Sequence, residues 1–154
     1  MSNTHESKDQ RRVLLVSGVN LGILGTREPE IYGTETLADH VTRAEKQATA
    51  HGMVLRHVQS NHEGELVDAI LAARQDCQAI VINPGAFTHY AWSLHDALAA
   101  FRGPIVELHL SNPASRETWR HQSVIAPVAS GTVAGFGGLG YELAIRAVAA
   151  LLEA

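Results

Sequence analysis

The chain has 154 residues, 45% hydrophobic and 18% charged, enough to bury a full core and too apolar for a disordered chain. Its net charge of −4, with no basic run and no interleaving of basic and aromatic residues, argues against a nucleic-acid partner, and no stretch nears the roughly 20 apolar residues of a membrane span. Cys77 has no second cysteine to pair with and fits a reducing compartment, and the opening MSNTHESKDQ has no apolar core for a signal peptide, so a cytoplasmic protein is expected.

Residues 1–10 read as a disordered tail and 11–154 as one domain. A first strand covers about residues 12–18, with Val13-Leu14-Leu15-Val16 as its buried run. Residues 17–33, SGVNLGILGTREPEIYG, follow. Their glycines and Pro29 exclude a helix or a regular strand and predict a long mobile loop at the strand's end. Thr36 reads as an N-cap with Asp39 three residues on, and Leu37, Val41, Ala44 and Ala48 recur at helical spacing up to Gly52. Met53 to Gln59 is a second strand, and Asn61 opens a helix buried through Leu66, Val67, Ile70, Leu71 and Ala73. Ala79-Ile80-Val81-Ile82 is continuous apolar sequence, as in a central parallel strand, stopped by Asn83-Pro84-Gly85. A third helix carries Trp92, Ala97, Leu98 and Phe101. Pro104 opens a fourth strand to Leu110, Ser115 caps a short helix, Val128 to Phe136 is a fifth strand, and Leu139 to Leu152 a closing helix.

Strands alternating with helices predict a flavodoxin-like α/β sandwich, a five-stranded parallel sheet in the order 2-1-3-4-5 with helices on both faces. In that order the ends of strands one and three flank the switch point, where such sheets hold their ligands. The first loop and Asn83-Pro84-Gly85 should therefore face each other.

The chemistry-bearing residues gather at strand ends: Asn20, Arg27 and Tyr32 on the loop, then Asn83 with His89, then Glu107 with His109, then Arg116 with Arg120. Glu107 and His109 are two apart on a strand and share a face, so the carboxylate can orient the imidazole as a general acid or base. A buried structural pair is the competing reading. A zinc site from His109, His89 and Glu107 lacks ligand spacing. Arg116 and Arg120, four apart, share a face of a short helix and suit a carboxylate or hydroxyls, or else a solvated surface. A cation near Tyr32 would favour its phenolate and make it a usable base. His40, His51, His57, His62, His95 and His121 read as surface or cap residues, and Trp92 and Trp119 as packing residues. Gly135 to Gly140 fits GxGxxG, but no further strand remains before Ala154 to carry a ribose-binding acid, so it reads as a tight strand-to-helix turn. Lys8 and Lys46 lie in the tail and on a polar helix run, which makes a buried Schiff-base lysine improbable.

Together these segments resemble the type II 3-dehydroquinate dehydratases, from about residue 13 to 152. The resemblance rests on GVNLGILGTREPEIYG (18–33), QSNHEGELVDAI (59–70), INPGAFTH (82–89), VELHLSN (106–112) and the spacing of Arg116 and Arg120. It implies dehydration of 3-dehydroquinate to 3-dehydroshikimate by anti elimination through an enolate, without cofactor, metal or Schiff base. It implies Tyr32 as the base, Arg27 as its activating cation and Asn20 as the holder of a water on the enolate oxygen. His109 would be the acid, oriented by Glu107. Asn83 would position His109 and substrate, the amides of Leu110 and Ser111 would take the carboxylate, and His89 and Arg120 the ring hydroxyls. Arg116 would support the tyrosine, and Asp96 would reach a neighbouring subunit's site in a homo-dodecamer built as a tetramer of trimers.

The chain departs from the family pattern at Val19, Tyr90, Trp92, His95, Ala114, Gln122 and Val124. These predict retained turnover with altered affinity or assembly. Two other readings stay open: a non-enzymatic flavodoxin-like binding module, and a hydro-lyase for a related cyclic polyol acid. Shikimate biosynthesis and quinate catabolism both use the step.

Overall fold

The computed structural model describes residues 10–154, so the expected tail lies, Gln10 aside, outside the described residues. The strands are β1 (Arg12–Ser17), β2 (Val54–Gln59), β3 (Ala79–Asn83), β4 (Ile105–His109) and β5 (Gly131–Ala134). All pair in parallel in the order β2-β1-β3-β4-β5, as the alternation of elements predicts. The helices are α1 (Pro29–Tyr32), α2 (Leu37–Ala50), α3 (Glu63–Ala73), α4 (Trp92–Ala99) and α5 (Leu139–Glu153).

The three inner strands are buried, Arg12 at the start of β1 aside, because they carry apolar side chains on both faces. Val13, Leu15, Val81, Val106 and Leu108 face one side and pack with Ala44 and Ala48 of α2 and Tyr141, Ile145 and Val148 of α5. Leu14, Val16, Ile80, Ile82 and Ile105 face the other, against Leu66 and Ile70 of α3 and Leu94 and Leu98 of α4. Helix α2 starts at the expected capping box: Asp39 N–H donates to Thr36 Oγ1 at 3.2 Å and Thr36 N–H to Asp39 Oδ2 at 2.9 Å.

The loops after β1 and β3 meet backbone to backbone. Gly18 N–H donates to Asn83 O at 2.8 Å, and a Cβ on Gly18 would sit 2.1 Å from Pro84 O, so no larger residue fits. At the other end of the chain a Cβ on Gly140 would lie 2.8 Å from Leu108 Cδ1. The glycine-rich turn is thus a close approach of α5 to the sheet, as expected.

Several local expectations are corrected. Residues 17–33 are not wholly irregular: Leu21–Ile23 form a 3₁₀ turn and Pro29–Tyr32 a short helix. Pro29 is the first residue of that helix, where its fixed φ and missing N–H are tolerated. His62, not Asn61, is the N-cap of α3, and Asn61 Oδ1 instead accepts from Asn20 N–H at 2.9 Å. Asn112, not Ser115, caps the turn Pro113–Ser115. Strand β5 is shorter than Val128–Phe136 because residues 126–128 form a 3₁₀ turn and Gly135, at φ 93°, breaks the extended chain. Phe101 lies beyond the end of α4, in the core. Trp92 and Trp119 are exposed rather than packed inside, and His40 is buried rather than superficial.

Candidate active site

At the carboxyl ends of β1, β3 and β4 a cavity of about 260 Å³ opens. It is lined by Asn20, Arg27, Tyr32, Asn83, His89 and His109, and by Leu110, Ser111, Arg116 and Arg120. Thus most of the residues that the sequence singled out converge from four separate segments. Glu107 stands behind His109, and Asp96 is exposed on α4, away from this cavity. Arg116 and Arg120 converge without sharing a helix: Arg116 is extended and Arg120 belongs to the separate 3₁₀ turn Thr118–Arg120.

On one wall stands Tyr32. Arg116 Nη1 donates to its hydroxyl at 2.9 Å and also reaches Ser111 Oγ at 3.2 Å. The Arg27 guanidinium carbon lies 4.5 Å from the centre of the Tyr32 ring, and that of Arg116 lies 5.2 Å from it. The phenol therefore sits between two guanidinium groups, one over its face and one at its oxygen. Local geometry sets up this contact: Glu28, at φ 33°, is a non-glycine residue in left-handed space, which turns the chain into α1 and so directs Arg27 and Tyr32 together. Asn20 is also left-handed, at φ 65°, a conformation that asparagine tolerates.

Also lining the cavity is His109, whose Nε2 meets Glu107 Oε2 at 2.6 Å. Glu107 is buried, and burial pushes its carboxyl up. Donors on His109, Thr88 and Ser123 outweigh that and hold it below its ordinary value. Thr88 Oγ1 donates to Oε2 at 2.7 Å and Ser123 Oγ to Oε1 at 2.9 Å. The pair is thus buried and also reaches the cavity through His109. Neither Thr88 nor Ser123 was marked as functional, since isolated hydroxyl residues carry no spacing signal.

At the floor Asn83 is fixed on both sides: its Oδ1 accepts from Gly85 N–H at 3.2 Å and its Nδ2 donates to Tyr141 Oη at 3.4 Å. Burial raises the Tyr141 hydroxyl to about 12, which keeps it neutral. His89 Nδ1 bonds the Gln122 carbonyl at 2.7 Å, and the carbonyl can only accept, so Nδ1 carries the hydrogen. Trp119, read from sequence as packing, lines the cavity rim beneath the Arg120 guanidinium, 3.9 Å from its ring centre. Among the described residues no cluster of three or more His, Cys, Asp or Glu is arranged to hold a metal ion. A cation-flanked phenol and a carboxylate-paired imidazole lining one cavity of small-molecule size are groups that can remove one proton and deliver another.

The family model for dehydroquinase class II matches residues 11–149. A protein of Bacillus licheniformis named 3-dehydroquinate dehydratase is 51% identical over 133 residues, covering 86% of this chain and 92% of its own. A catabolic 3-dehydroquinase of Aspergillus clavatus is 48% identical over 139 residues, covering 90% and 93%. The crystal structure of the type II dehydroquinase from Propionibacterium acnes superposes with a TM-score of 0.88 at 40% identity, covering 92% and 97% of the two chains.

Proposed function

Because the chain belongs to the class II dehydroquinases, we propose that it dehydrates 3-dehydroquinate to 3-dehydroshikimate by anti elimination through an enolate. The observation that carries this reading is that one cavity is lined both by Tyr32, beside Arg27 and Arg116, and by His109, paired with Glu107.

Tyr32, as phenolate, takes the proton beside the ketone. The guanidinium contacts stabilise the negative oxygen before the transfer. Asn20 holds a water against the developing enolate oxygen. His109 gives a proton to the departing hydroxyl, which leaves as water, and Glu107 stabilises and orients the imidazolium. The electron pair of the broken C–H bond first forms the enolate double bond as the ketone's π pair moves onto oxygen; the carbonyl then re-forms, that pair becomes the new ring double bond, and the C–O bond breaks. Asn83 positions His109 and the substrate, the amides of Leu110 and Ser111 take the carboxylate, and His89 and Arg120 take ring hydroxyls. Asp96 completes a neighbouring copy's site in a homo-dodecamer. Relatives bear both general and catabolic names, so either pathway can supply the substrate.

The test is direct. The protein is added to 3-dehydroquinate and the ultraviolet absorbance of the conjugated enone is followed, with Tyr32→Phe as control. Growth that the control loses supports the reaction and the base. Growth that survives in the control overturns the role of Tyr32. No growth with folded protein overturns the substrate and then favours a related cyclic polyol acid, with Trp119 at the cavity lining.

A further inference from the structure

Behind the His109 wall lies a hydrogen-bond arrangement whose proton count is closed. Ser123 Oγ accepts from the N–H groups of Ile125 and Ala126, both at 3.0 Å. These occupy its two lone pairs. Its own hydrogen must then go outward, to Glu107 Oε1 at 2.9 Å or to the neighbouring Thr88 Oγ1 at 2.8 Å. The carboxylate is the stronger acceptor. Thr88 has no lone pair of Ser123 to donate to, so its hydrogen goes to Glu107 Oε2 at 2.7 Å. Three donors therefore point at one carboxylate: the two hydroxyls and the His109 Nε2–H at 2.6 Å. An acceptor so surrounded is held ionised, and the imidazole facing it keeps its hydrogen on Nε2. Nδ1 becomes the nitrogen available for proton exchange.

We propose that Ser123, together with Thr88, is a positioning residue for His109, acting through Glu107 to fix which ring nitrogen exchanges the proton. The proposal rests on the reading of His109 as the acid. Ser123 is suited to this role by its place in the chain. The flanking segment is pinned to the 3₁₀ turn Gly85–His89 that precedes α4, with Val124 N–H on the Thr88 carbonyl at 2.7 Å and the Gln122 carbonyl on His89 at 2.7 Å. One strap thus carries both the hydroxyl that steadies the acid and the carbonyl that orients His89. A second cavity, of about 220 Å³, is bordered by Thr88, Glu107, His109 and Ser123, and His109 lines the first cavity as well.

The experiment compares Ser123→Ala, Ser123→Thr and Thr88→Val with the parent protein in kcat, KM, pH profile and the ¹⁵N NMR signature of the His109 ring. Ser123→Ala is expected to lower kcat about tenfold with KM unchanged within about twofold, the effect of one hydrogen bond to a charged group. The acid limb of its kcat profile moves to higher pH, because Glu107 then takes a proton more readily. The ring signal moves from a fixed Nε2–H form to a mixture of tautomers. Ser123→Thr, which keeps the hydroxyl, restores all three, and Thr88→Val repeats the Ser123→Ala pattern. In a Glu107→Gln background Ser123→Ala adds less than about twofold. An unmoved pH limb and tautomer, or an equal loss in both backgrounds, overturns the proposal. The NMR signature needs no turnover: a parent protein that fails on 3-dehydroquinate but shows the tautomer shift loses the proposed reaction and keeps the positioning role.

Discussion

Two histidines of this chain are almost equally hidden, and they are chemical opposites. His109 is 9% exposed and His40 1%. His109 is gripped by a carboxylate that is itself gripped by two hydroxyls. His40 has no hydrogen-bond partner on either ring nitrogen; its nearest acid, Glu35, is 3.6 Å from Nδ1, too far for a hydrogen bond. It is held by stacking on Tyr141, with ring centres 4.8 Å apart and planes 4° from parallel. Burial pushes the His40 imidazole below its ordinary value, and Glu35 only partly offsets that. Burial therefore does not mark a working histidine. What sets His109 apart is a carboxylate bonded to one ring nitrogen and a place on the cavity lining.

This contrast can be broken or sharpened by measurement. The largest effect is expected from His109→Ala, which removes the proposed general acid and should lower kcat by about 10²–10⁴-fold. Steady-state assays would read it, and a loss below about tenfold would place His109 with His40 as a structural residue. A smaller, opposite effect is expected from His40→Leu. The change removes two unpartnered buried nitrogens at the expense of a ring stack, and should raise stability by about 1 kcal/mol with kcat unchanged. Urea unfolding checks this; a clear loss of stability would mean that the imidazole is satisfied in solution. The smallest effect is in pH. A ring kept neutral by folding takes up its proton on unfolding, so acid favours the unfolded chain once pH falls below the ordinary histidine value of 6.5. Between pH 8 and 6 the parent should lose somewhat less than about 1 kcal/mol more stability than His40→Leu does. The Glu107 carboxyl works in a separate window. Held below its ordinary value of 4.5, it supports folding above that pH, and the support is lost as pH falls further through its folded value.

The order of the sheet was readable because alternating elements leave few topologies, and Glu107 and His109 were readable as a pair because strand geometry has period two. His40 was legible in principle. It falls on the same helical stripe as Leu37, Val41 and Ala44, and polarity by itself suggested a surface place. The meeting of Arg116 with Tyr32 was implied by the family resemblance alone and not by any spacing. It depends on two 3₁₀ turns and a left-handed Glu28, and such turns are set by tertiary contacts rather than by any repeat. Thr88 and Ser123 were invisible because a hydroxyl gains its meaning from the neighbour it donates to.

The three arginines at the cavity also bear on how a ligand arrives. The chain as a whole carries a net charge of −4, so an anion far from the surface is repelled. Near the mouth the sign reverses: Arg27, Arg116 and Arg120 face the cavity, and the acids beside them are Glu28 and Glu117. At physiological ionic strength charges act over about 8 Å, which hides most of the distant repulsion and leaves the local attraction. Salt thus acts twice on the capture of a carboxylate. Modest salt removes the barrier to approach, and high salt then weakens the pull at the mouth, so the encounter rate passes through a maximum between them.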